Sequence, residues 1–233
     1  MRRFPRFRSF LTLSALFSAA ALWQALPAAT AGGDLVLRGG TVHDGSGGEP
    51  LVGDVVVRGE RILTVGRHEP QPGDTVIDCS GRIVAPGFID LHTHSDSALG
   101  DPQARRCLNY LLQGCTTMVT GNCGGGAANT GAYLEGIDRK GAGCNIIHLA
   151  PHGAVRRAAM GTARRKPTRA ELAKMEALVD QAMRDGAWGM STGLIYPPSC
   201  HAEADEITAL AKVVAARGGI YATHVRGENE VLL

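Results

Sequence analysis

Residues 86–96 read PGFIDLHTHSD, from Pro86 to Asp96. Apolar residues Phe88, Ile89 and Leu91 make a strand-like run, extended upstream by Ile83 and Val84, and the run ends on His92-Thr93-His94. Side chains alternate along an extended chain, so His92 and His94 share a face and point inward while Thr93 turns away. Two imidazoles at that spacing can hold one divalent cation without strain.

Downstream of Gly87 the pattern alternates between apolar strands and amphipathic helices. Pro86–His92 is the first strand. A helix follows, opened by Asp101 as N-cap and Pro102, with Leu108, Leu111 and Leu112 inward and Gly114 as the stop. Thr116–Thr120 is the second strand and Asn145–Leu149 the third. Thr168 and Glu171 form a capping box for a helix whose face carries Leu172, Met175, Leu178, Val179 and Met183, ending at Gly186. Trp188–Ser191 is the fourth strand. A helix over Glu203–Arg217 leads to the fifth, Ile220–His224. Repeated strand–helix units with buried apolar strands predict an α/β fold with a parallel sheet. Units of this length suit an incomplete (β/α)8 TIM-type barrel, about five of eight units.

Upstream, residues 34–83 hold short alternating β segments separated by Gly39-Gly40 and Gly59-Glu60, predicting a small antiparallel unit. The first residues differ in kind. Arg2, Arg3, Arg6 and Arg8 precede the apolar run Phe10–Trp23, and Ala29-Thr30-Ala31 follows as a small-x-small site. This is the layout of a secretory signal peptide, with an uncleaved anchor as the alternative. The expected organisation is a signal peptide at 1–31, a β-sandwich segment at 32–84 and a barrel portion at 85–233. Export to the periplasm or outside follows, with cleavage near Ala31 and no stable membrane span in the mature chain. At 233 residues and 44% hydrophobic, the chain can bury a sizeable core. A net charge of +2, with no basic patch interleaved with aromatics, gives no sign of a nucleic-acid partner.

In a parallel barrel, chemistry gathers at the C-terminal ends of the strands. The first strand ends in His92 and His94, the second runs into Gly121-Asn122-Cys123-Gly124, and the fifth ends in His224. A thiolate is a soft ligand that suits zinc. Four zinc-type donors therefore fall on one rim. The other cysteines, at 79, 107, 115, 144 and 200, are scattered and read as buried small hydrophobes.

The segments APGFIDLHTHSD, QGCTTMVTGNCG, GAWGMSTGLIYPP and GGIYATHVRGE together resemble the N-acyl-D-amino-acid deacylases, or D-aminoacylases, of the metal-dependent amidohydrolase superfamily. The likeness runs from about Gly33 to the last residue. It implies a small β-sandwich built from both chain ends beside a (β/α)8 barrel. It also implies zinc, one or two ions, held by His92, His94, Cys123 and His224, with a cysteine where hydantoinase-like relatives use a carboxylated lysine. The activity implied is hydrolysis of a small N-acyl-D-amino acid to a carboxylate and a D-amino acid. In that family a further histidine ligand and the aspartate that carries the proton come from later strands. These positions would lie beyond Leu233, so the chain is expected to be the N-terminal part of a longer enzyme and inactive alone.

Asp96 matches an acidic family position and could cap the loop that follows. Tyr196 and Arg226 are candidate substrate contacts, for the acyl chain and an anionic group respectively. Ser191 and Thr192 either touch substrate or simply end a strand. His148 and His152 read as structural, and Arg164-Arg165-Lys166 as a solvated loop. Two alternatives remain: a hydantoinase- or dihydroorotase-like cyclic amidase, disfavoured by Cys123, and a non-catalytic truncated remnant.

Overall fold

The computed structural model describes residues 33–228; the signal-peptide reading of residues 1–31 lies outside them. The chain falls into two compact units, divided after Ala85.

In the first unit, β1 (Leu35–Val42) lies at the centre of one five-stranded sheet. It pairs antiparallel with β2 (Leu51–Arg58), and β2 pairs antiparallel with β3 (Arg61–Gly66) across a tight turn at Gly59, where φ is +58°. The expected antiparallel unit holds for these three. It is corrected at β4 (Thr75–Asp78) and β5 (Ile83–Val84), which both run parallel to β1. The cause is the connection at 67–74, which returns the chain to the other side of β1. Asp74 anchors it, accepting from the backbone N–H groups of Asp34 (2.7 Å) and Gln71 (2.8 Å). Val36, Val42, Val55 and Val56 are buried, whereas Val52, Ile62 and Val65 are exposed.

The second unit is built of parallel strands. β6 (Phe88–Asp90), β7 (Cys115–Thr120) and β8 (Asn145–His148) form one sheet in the order 6-7-8. β9 (Ala150–Pro151), β10 (Gly189–Gly193) and β11 (Ile220–His224) form another in the order 9-10-11. Only Leu149 separates β8 from β9. Its N–H still donates to Thr120 O at 3.0 Å, so a single stretch of chain serves both sheets. Helices α1 (Leu108–Leu111), α2 (Thr130–Lys140), α3 (His152–Met160), α4 (Arg169–Arg184) and α5 (Ala204–Ala216) connect the strands.

The main core lies where α3, α4 and α5 cover β10. Val155, Met175, Val179, Met190, Leu210 and Val214 are buried together there, and Leu172, Leu178 and Met183 pack at the margin. Each such side chain contributes about 1.5–3 kcal/mol of burial free energy. The capping box of α4 is present. Thr168 Oγ1 accepts from Glu171 N–H at 3.3 Å, and Glu171 Oε2 accepts from Thr168 N–H at 2.7 Å.

One expectation here needs correction. The helix foreseen after Asp101 breaks into a 3-10 turn (Ala104–Arg106) and the four-residue α1. Cys107 between them has φ +54°, which interrupts the helical hydrogen bonds, and Leu108, Leu111 and Leu112 are exposed rather than inward. Asp101 does cap the turn, accepting from Gln103 and Ala104 N–H groups. Helices α2 and α3 were not foreseen. The basic run at 164–166 is an exposed loop, as expected, with Arg165 paired to Glu171 and Lys166 to Glu203 at the surface. Among the described residues, no helix is long and apolar enough to cross a membrane.

Candidate metal centre

His92 and His94 sit just past the end of β6, in a segment fixed through the residue between them. Thr93 is buried, and both its N–H (3.1 Å) and its hydroxyl (2.8 Å) donate to Val119 O. Thr93 is the buried residue and the two histidines, expected to point inward, are exposed, their rings emerging together with centroids 5.2 Å apart.

Cys123 lies in the turn after β7, where Gly121, Cys123 and Gly124 have φ of +75°, +52° and +69°. For cysteine this left-handed conformation costs about 1–3 kcal/mol, and the surroundings must impose it. A Cβ on Gly121 would stand 2.1 Å from Leu149 O, so only glycine fits there. Asp96 Oδ1 accepts from Gly121 N–H at 2.8 Å. The Asn122 side chain is buried, and its Nδ2 faces Val119 O at 2.9 Å and the carbonyls of Leu91 and Thr93 at 3.4 Å each. Asn122 thereby ties the cysteine turn to the histidine segment.

His224 ends β11, aligned with Gly193 of β10, and its carbonyl accepts from Leu194 N–H at 2.9 Å. Its Nε2 is buried, with Glu228 Oε1 3.0 Å away.

These elements bring His92, His94 and Cys123 together, and His224 approaches through the sulfur. Cys123 Sγ is 3.3 Å from His92 Nε2 and 3.6 Å from His224 Nδ1. The donor atoms of His92, His94 and Cys123 lie within 4.8 Å of one another. In a tetrahedral site with zinc–sulfur and zinc–nitrogen bonds near 2.3 and 2.0–2.1 Å, the sulfur–nitrogen edge is about 3.6 Å. The residues fit such an ion. Burial pushes the Cys123 thiol pKa up, and the nearby Glu228 carboxylate pushes it the same way. A bound cation reverses that balance, because a coordinating thiol is deprotonated outright.

A cavity of about 270 Å³ opens beside the cluster, lined in part by His94, Cys123, Gly124, Arg157, Tyr196 and Ser199. Tyr196 stands edge-on to His224 with ring centroids 5.1 Å apart. Arg226 is turned to other use: its guanidinium donates to the carbonyls of Cys200 and Ala202. His148 is buried between Thr120 Oγ1 (2.9 Å) and Ala127 O (3.2 Å). His152 is also buried, with Ser199 Oγ 2.8 Å from Nδ1 and Glu206 Oε1 2.9 Å from Nε2. Thr192 Oγ1 bonds to Thr223 and Tyr221 within the sheet. The supporting part of Asn122 was not foreseen. A polar residue beside a candidate ligand was its only signal.

The chain matches the model of the amidohydrolase family over residues 75–230. It is 39% identical to D-aminoacylase of Alcaligenes xylosoxydans xylosoxydans over 220 residues, covering 84% of this chain and 45% of that enzyme. It is also 39% identical to N-acyl-D-aspartate deacylase of the same organism, covering 87% of this chain and 45% of that protein. Among solved structures, N-acyl-D-glutamate deacylase from Bordetella bronchiseptica, complexed with zinc and a phosphonate inhibitor, superposes with a TM-score of 0.79 at 33% identity. That match covers 84% of this chain and 46% of the other. The chain thus spans less than half the length of these relatives.

Proposed function

This chain belongs to the amidohydrolase family, and from that premise we propose that it carries the principal metal-binding half of a zinc-dependent hydrolase of N-acyl-D-amino acids. One observation carries the reading: the Cys123 sulfur lies 3.3 Å from His92 Nε2 and 3.6 Å from His224 Nδ1, with donors drawn from the ends of three strands. The names of the relatives supply the substrate class. The copresence of zinc and a phosphonate in one relative supports the choice of ion.

His92, His94, Cys123 and His224 would hold the ion. Bound there, zinc supplies a water that ionises near neutral pH and polarises the amide carbonyl. The chain's own residues do the rest of what this half contributes. The Asn122 amide and Thr93 hold the imidazoles and the thiolate in register. Tyr196 walls the cavity on the His224 side, and Arg157 presents a cation at its rim to an anionic substrate. Attack of water on the acyl carbon yields a carboxylate and a free D-amino acid, with the proton passing to the leaving amine. We assign that proton transfer, a further histidine ligand and the contacts to the substrate carboxylate to sequence beyond Leu233. The parallel strands of the second unit are read as part of a (β/α)8 barrel. The exposed apolar face of β2 and β3 is read as the inner face of a β-sandwich. Export is part of the proposal, on the leader-like layout of residues 1–31.

Metal analysis of the purified chain tests the centre: about one zinc per chain is expected, and none bound would overturn the reading. Extended to the length of its relatives, the protein is expected to release amino acid from N-acetyl-D-methionine and not from the L-enantiomer. Equal rates on both would overturn the substrate class.

A further inference from the structure

β10 contributes no donor to the cluster, yet two of its residues meet the cysteine turn. Ser191 is fully buried. Its hydroxyl accepts from Gly124 N–H at 2.9 Å and donates to Gly121 O, so one oxygen spans the turn on either side of Cys123. Gly193, two residues on and therefore on the same face, presents no side chain. A Cβ there would stand 2.1 Å from the Cys123 carbonyl oxygen. Gly193 is also the register partner of His224. The end of β10 thus touches the backbone of one sulfur donor and pairs with the strand of one imidazole donor.

Resting on the metal reading above, the geometry points to Ser191 as a positioning residue: its hydroxyl holds Cys123 in the left-handed conformation that aims the sulfur at His92 and His224. It touches neither the donor atoms nor, being buried beneath the turn, the substrate. Without the hydroxyl, Gly124 N–H and Gly121 O lose a shared partner inside the protein, and the turn is free to relax toward a conformation ordinary for cysteine. The sulfur then moves while the histidines stay. Supporting groups of this kind alter metal affinity by 10–100-fold in other proteins.

The test is Ser191→Ala in the full chain, with zinc affinity measured by chelator competition and cobalt(II) used as an optical probe. Ser191→Ala is expected to weaken zinc binding by roughly 10–100-fold and to diminish the thiolate-to-cobalt charge-transfer band. Far-ultraviolet circular dichroism should be unchanged. Should Ser191→Ala not fold, Ser191→Cys takes its place, a slightly larger side chain with a weaker hydrogen-bonding group, and a smaller loss of zinc affinity is expected, read by chelator competition alone. Unchanged affinity together with an unchanged charge-transfer band would overturn the positioning role while leaving the metal centre standing. No zinc binding by the unsubstituted chain would overturn the centre and this role together.

Discussion

Glu206→Gln probes a buried carboxylate beside a fully buried guanidinium. Glu206 Oε1 receives Arg156 Nε at 3.0 Å and lies 2.9 Å from His152 Nε2, and all three side chains are buried. The other Arg156 nitrogens donate to the carbonyls of Ala163 (3.1 Å) and Arg165 (2.7 Å). Those carbonyls satisfy hydrogen bonds but carry no charge, so Glu206 is the counter-ion of the guanidinium. Glutamine keeps the shape and one acceptor oxygen while stranding a buried cation. Breaking a buried pair from one side costs 3–5 kcal/mol, and the retained acceptor puts this variant at the low end, about 3 kcal/mol. For a chain of this size that is a fall in Tm of roughly 6–12 °C. Adding Arg156→Met to the Glu206→Gln chain should cost far less than Arg156→Met alone, since no charge is left to strand. Urea unfolding of the four proteins gives the coupling. Losses that add to within about 0.5 kcal/mol, as at independent sites, would refute the reasoning, as would a Glu206→Gln loss under about 1 kcal/mol.

Cys123→Ser should lower zinc affinity by at least as much as loss of a supporting group, roughly 10–100-fold or more, as read by metal analysis after dialysis. Gly193→Ala is expected to displace the Cys123 carbonyl, which the new Cβ would meet at 2.1 Å. A fall in both zinc content and Tm checks it, and retention of both would contradict the close approach. The Glu171 carboxyl is held down to about 2, first by Arg165 and then by the Thr168 N–H, against an ordinary value of 4.5. Its folded pKa is depressed, so its stabilisation is present above pH 4.5 and lost as pH falls towards 2. In Glu171→Gln, the part of the acid-induced destabilisation across that window due to this group should vanish from a pH series of urea midpoints.

How much of this was legible in the sequence depends on the range of the interaction. His92, Cys123 and His224 are readable because each follows an apolar run at a strand end, and strand ends of parallel sheets converge. The capping box of α4 is readable because Thr168 and Glu171 are three residues apart. Helix α2 is not, although Asn129 caps it by accepting from Ala132 N–H, because Gly131 and Gly136 dilute its apolar pattern. The break at Cys107 depends on a backbone conformation that residue type does not announce. The parallel pairing of β4 with β1 is set by Asp74 reaching Asp34, 40 residues away. Ser191 read equally well as a strand terminus or a substrate contact, because its partners lie 67 and 70 residues upstream.

The handover at Leu149, where one stretch of chain leaves β7 as neighbour and takes up β10, bears on how such a centre tolerates insertion and deletion. The carbonyl at that junction presses on Gly121, so the turn bearing the sulfur is seated across it. A residue gained or lost between 145 and 151 would slide everything downstream by half a pleat and exchange the two sides of the strand. Loops elsewhere on the rim can lengthen or shorten with less consequence; this span is expected to keep its length wherever the sulfur is kept.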